Sequence, residues 1–134
     1  MARSRKRFKN RLARGSFITV RKDILNHSNY HSLSHRAARL LWDLFVQFNG
    51  KNNGDFSATY SDFREKGWSS NSQLIKAREE LIAKGWIVIS RHGGLNMGCH
   101  LYAVTWESIH ECEGKLDIDP TSTPLNYWRD DRRN

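Results

Sequence analysis

The chain is poor in cysteine and proline and has no long apolar run. Of 134 residues, two are cysteine and two are proline. Cys99 and Cys112 form no CxxC pair, and secreted disulfide scaffolds are far denser in cysteine, so both are expected as free thiols in a reducing cytoplasm. Pro120 and Pro124 both fall in the C-terminal tail. No apolar stretch approaches the length of a membrane span, and the basic N-terminus is not followed by an apolar segment. Neither a membrane partner nor a secretory signal is therefore expected. There is no GxSxG, no P-loop and no HExxH, so the expectation is a non-enzyme without a cofactor.

Acidic residues are missing from the first fourteen positions, where Arg3, Arg5, Lys6, Arg7, Lys9, Arg11 and Arg14 stand. The whole chain carries +8 from 22 Lys/Arg against 14 Asp/Glu. Without the arm, 15 cations face the same 14 acids, a net of +1. A cationic arm on a nearly neutral body suits a polyanion, because each phosphate neutralised releases condensed counterions. A solvated tail or a membrane-surface address would have the same composition. The hydrophobic fraction of 38% is that of a folded domain rather than a disordered chain.

The organisation reads as a basic arm (residues 1–15), a folded domain (16–112) and an extended tail (113–134). A short helix is expected over Arg21 to Asn26, with Val20, Ile24 and Leu25 inward, and residues 27–33 read as a turn. Ser34 is a helix N-cap. Ala37, Ala38, Leu40, Leu41, Leu44, Phe45 and Phe48 follow at helical spacing, with Trp42 beside them and Asn49-Gly50 at the end. Asn52-Asn53-Gly54 makes a tight turn before a short strand at Phe56-Ser57-Ala58. A second helix opens at Thr59 or Tyr60, uses Phe63 as its core contact and stops at Gly67. Ser70 and Gln73 have capping-box spacing for a third helix that buries Leu74, Ala77 and Leu81 and ends at Lys84-Gly85. The period then changes to two. Residues 86–90 and 100–106 read as a β-hairpin around a loop with three glycines.

This order gives an α+β fold, a winged helix-turn-helix: a three-helix core plus a β-hairpin wing, with a basic N-terminal arm and an extended C-terminal tail. In such a fold one face of the third helix enters the major groove. The groups expected to touch DNA are Ser70, Asn71, Ser72, Gln73 and Lys76 on that helix, Arg91 and His92 on the wing, and the seven arm cations. Asn and Gln pair with adenine, while Lys reaches guanine or phosphate. Double-stranded DNA is thus the expected partner. A homodimer and a host or phage protein complex stay open.

The stretches "FNGKNNGD", "KGWSSN", "REELIAKGWI" and "YAVTW", with the Leu33-Ser34 pair and the glycine loop, carry a resemblance. Residues 16–128 resemble small winged-helix proteins of phages, prophages and other bacterial mobile elements. The resemblance implies a sequence-specific DNA-binding protein in the cytoplasm of a bacterial host, acting as a transcriptional regulator. The architecture is also similar to the DNA-binding parts of replication initiators, so an origin-binding role is an alternative. A winged-helix interaction protein is the other. Arg78 stands where many winged helices have an aliphatic residue, which leaves the rotation of the third helix open, and Glu79 and Glu80 lie near the presumed DNA side.

His27, His31 and His35 are four apart, but the Asn and Ser residues among them argue for a turn, so no metal site is expected there. His92, Cys99, His100, His110 and Cys112 make a poor second cluster, since adjacent Cys99 and His100 point to opposite strand faces. Trp42, Trp86 and Trp106 read as core or core-flanking. Trp68, in the turn before the third helix, reads as the exposed exception.

Overall fold

Ser34 starts the first long helix as its type suggests. Its Oγ accepts a hydrogen bond from Ala37 N at 3.1 Å. The computed structural model describes residues 15–95 and 98–129. Their fold is α+β, with five helices and a three-stranded antiparallel sheet. In chain order the elements are α1 (Lys22–Leu25), α2 (Ser28–His31), α3 (His35–Phe45), β1 (Phe56–Ser57), α4 (Tyr60–Phe63), α5 (Asn71–Ala83), β2 (Ile87–Arg91) and β3 (Leu101–Val104). Single 3-10 turns follow at Arg64–Lys66, Cys112–Gly114 and Tyr127–Arg129.

α3 and α5 form the helical layer. Ala37, Leu40, Leu41, Leu44 and Phe45 from one, and Leu74, Ala77 and Leu81 from the other, are buried in a single core. The core closes against Phe56, Ile87, Tyr102 and Val104 of the sheet and against Trp86, Trp106 and Trp128. The strand order is β1-β3-β2. Phe56 pairs with Tyr102, and Ile87, Val88 and Ile89 pair with Val104, Ala103 and Tyr102. The register shifts between Ile89 and Arg91, so Ser90 forms a bulge. Its hydroxyl donates to Gly54 O at 2.5 Å. β3, the middle strand, is buried at every position.

Three expectations change. Residues 27–33 hold a helical turn, α2, because the His27 ring accepts from Asn29 N at 3.0 Å and so acts as an N-cap. Leu25 is exposed rather than inward, and Ile24 alone anchors α1. The regular part of α3 stops at Phe45 rather than near Phe48. There the Gln47 side chain leaves to pair with the Ser57 backbone, accepting from its N at 3.0 Å and donating to its O at 2.9 Å.

The segment after β3 folds back on the body. Asp117 N donates to Ser90 O at 2.8 Å and Asn126 N to Thr105 O at 2.6 Å. Trp128 is 2% exposed and stacks on Trp86, with centroids 5.3 Å apart. The Asn29 amide donates to Trp128 O at 2.6 Å and Lys84 O at 2.9 Å, tying the tail to the end of α5. Among the described residues no helix is long and apolar enough to cross a membrane.

Candidate nucleic-acid interface

α5 is held by the turn before it, and that turn is clamped to α3. Gly67 has φ 98°, a conformation that costs glycine nothing. Trp68, expected to be exposed, is 4% exposed. Its indole Nε1 donates to Asp43 Oδ2 at 2.8 Å, and the Arg39 guanidinium lies over the ring at 5.5 Å. Arg39 also donates to Lys66 O and pairs with Asp43. From the other side, Tyr60 OH donates to Ser69 O at 3.1 Å. The indole N–H, which needs a partner once buried, finds it on α3 and thereby orients the entry to α5.

Ser70 is the N-cap of α5, its Oγ accepting from Gln73 N at 3.3 Å and sharing a hydrogen bond with Ser72 Oγ at 2.9 Å. Beyond it, Asn71, Ser72, Ile75, Lys76 and Glu79 are exposed on the face away from Leu74, Ala77 and Leu81, and Gln73 is half-buried. The two glutamates behave differently. Glu79 stays in solvent, whereas the Glu80 carboxylate accepts from Ser34 N and Ser34 Oγ, at 2.8 Å each. Burial raises the Glu80 pKa, but these bonds and nearby Lys84 outweigh it and hold the carboxyl below its ordinary value.

Arg78 links α5 to the sheet. Its guanidinium lies over the Tyr102 ring at 5.9 Å, and Nη1 reaches Ala58 O at 3.4 Å. Burial pushes the Tyr102 phenol up, against the pull of Arg78. A cleft of about 200 Å³ opens beside it, between α5 and the β2–β3 loop, lined by Ala58, Thr59, Arg78, Gly93, Cys99 and His100 among others.

The β2–β3 loop is braced at its base. Gly93 N donates to His100 Nδ1 at 2.9 Å and Gly94 N to Gly98 O at 3.1 Å. A Cβ on Gly93 would stand 2.5 Å from Gly98 O, so only glycine fits there. Arg91 turns inward. Its Nη2 donates to Cys99 O at 3.2 Å, and its Nε is enclosed without a partner. His92 keeps an exposed ring 3.5 Å from Asp117, while its backbone N donates to Asp117 Oδ2 at 2.8 Å. That backbone bond is the main cause holding the Asp117 carboxyl below its ordinary value.

The structure therefore gathers Asn71, Ser72, Gln73 and Lys76 at one end of α5, with the β2–β3 loop across the cleft from Arg78. The arm cations Arg3, Arg5, Lys6, Arg7, Lys9, Arg11 and Arg14 lie outside the described residues. His27 and His31 are engaged with backbone, the latter 2.9 Å from Leu25 O. Among the described residues no group of three or more His, Cys, Asp or Glu is placed to hold a metal ion.

Asn53 is a residue that the sequence reading passed over. It is fully buried; its amide donates to Val104 O, Glu107 O and Ser108 O, and its Oδ1 accepts from Val104 N. The Asn-Gly pair signalled a turn and nothing about this hub. Asp117 and Asp43 were equally silent, being single acids with partners far along the chain. Compared with family models, with curated proteins and with solved structures, the chain matches none.

Proposed function

We propose that the chain is a winged helix-turn-helix protein that binds double-stranded DNA in a sequence-specific manner, serving a phage or other mobile element as a transcriptional regulator. The observation that carries this reading is the placement of α5. One face is locked to α3, its turn is clamped through Trp68 and Asp43, and Asn71, Ser72 and Lys76 are left in solvent. A major groove has room for one such helix, and these side chains match the donors and acceptors on base edges. The strand order β1-β3-β2, with a glycine hairpin beside α5, is what a wing requires. The net charge of +8, held almost entirely by the arm, supplies the non-specific attraction to phosphate.

The test is selection of the full chain on random-sequence duplexes at physiological salt. A consensus site bound roughly 10³-fold or more above random DNA is the expected result. Recovery of no consensus would remove the sequence-specific reading.

A further inference from the structure

Three cations among the described residues are half-buried: Arg78, Lys84 and Arg91. Lys84 has Glu80 at 3.7 Å. Arg91 donates to Cys99 O, and its charge helps to hold the Asp117 carboxyl down. Arg78 forms no ion pair among the described residues. Its guanidinium meets the Tyr102 ring and one carbonyl, Ala58 O, at 3.4 Å. A guanidinium drawn partly out of water without a counter-charge is a cost to the fold. It lines the cleft of about 200 Å³ between α5 and the β2–β3 loop, where no described lining residue is acidic. A second donor reaches this cleft from the loop side. His100 Nδ1 accepts from Gly93 N at 2.9 Å, which leaves the ring proton on Nε2, without a protein partner among the described residues. Thr59, also in the lining, donates its hydroxyl to exposed Asp62 at 2.9 Å and brings no charge of its own.

We infer that this cleft is a site for one phosphate group, held by the Arg78 guanidinium and the His100 Nε2–H. A metal ion would meet a like charge here and no carboxylate. An apolar ligand would leave the guanidinium unpaired. The guanidinium fork matches carboxylate and phosphate alike. A carboxylate presents both oxygens along one edge. A phosphate offers oxygens on several sides, so donors from α5 and from the residue before β3 can meet it together. Gly93, Gly94 and Gly98 line the loop side without side chains, which leaves room for those oxygens. Such a group is carried by a duplex backbone and by small phosphate esters, and the site does not depend on which.

The experiment follows the Arg78 Nε–H and His100 Nε2–H resonances of the nitrogen-labelled full chain by NMR at constant ionic strength. Inorganic phosphate and phenyl phosphate should each shift both signals and saturate, and benzoate should bind far more weakly. Arg78→Met keeps the stem and removes the charge, and should weaken phenyl phosphate by about tenfold or more, as read at His100. His100→Asn keeps an acceptor near Nδ1 for Gly93 N and withdraws the second donor, and should weaken it several-fold, as read at Arg78. A short duplex that moves the same two signals identifies the backbone as the source. A duplex that leaves them still while phenyl phosphate moves them identifies a small ester. Shifts confined to the arm, benzoate binding as tightly as phenyl phosphate, or undiminished binding by a folded Arg78→Met overturns the site. Should Arg78→Met not fold, the wild-type titrations and His100→Asn decide alone.

Discussion

Glu80 of α5 supplies the N-terminus of α3 with the carboxylate that Ser34 lacks in its own helix. A capping box would place Glu or Gln three residues after Ser34, where Ala37 stands. The Glu80 carboxylate takes that place from a neighbouring helix, accepting from both Ser34 N and Oγ. The bond thus joins the cap of one helix to the packing of two. Glu80→Ala should cost about 1–2 kcal/mol, read as a lower urea midpoint at unchanged slope. Because the folded-state carboxyl is held below its ordinary value of 4.5, its stabilising share is fully present above that pH. It is lost as pH falls through the lower folded value. Glu80→Gln should therefore narrow the stability difference between about pH 7 and about pH 3. An unchanged difference would mean that the carboxylate is not engaged in solution.

Asn53 connects the turn before β1 to the end of β3. Asn53→Ala would strip Val104 N and three carbonyls of their partner. Each buried group left unmet costs about 1–3 kcal/mol, against a total stability of about 5–15 kcal/mol for a domain. The variant should be largely unfolded or melt far below wild type by circular dichroism. A change under about 1 kcal/mol would show that water replaces the amide.

Trp128 closes the core from the tail. It stacks on Trp86, meets His27 edge-on at 5.1 Å and lies under Arg21 at 5.9 Å. Trp128→Ala should cost about 3–5 kcal/mol by chemical denaturation. Truncation after Asn126 should do the same. Retention of full stability by the truncated chain would show that the tail is only an appendage.

Asn71 and Gln73 test the reading face of α5. Asn71→Ala and Gln73→Ala should each cost about 1–3 kcal/mol on a selected site and little on random duplex. Melting should be unaffected for Asn71→Ala, which is exposed. If both variants discriminate as wild type does, another element reads the bases.

Deleting residues 1–14 tests the arm. Each phosphate contact contributes about 0.9 to the slope of log K against log salt, so the slope should fall by several units. An identical slope would mean that the arm does not touch phosphate.

Local chemistry made much of this protein legible from its sequence. Ser34 and Ser70 act as caps, Gly67 and Gly85 take the left-handed backbone, and the change of period after Gly85 marks the hairpin. The charge of the arm is likewise a property of composition alone. These signals depend on neighbours within a few residues, which the sequence displays directly. The tertiary structure decided the rest. Trp68 is buried because Asp43, 25 residues away, receives its N–H. Glu80 faces Ser34 across 46 residues, and Asn53 reaches Val104 across 51. No spacing rule announces such meetings, since they exist only after the helices and sheet have packed. Arg91 is the clearest case. Its place beside the glycines suggests an outward cation, but the register shifts at Ser90 and the guanidinium closes on Cys99 O. One inserted residue resets which face every later side chain takes, and that is determined by pairing between strands rather than by either strand alone.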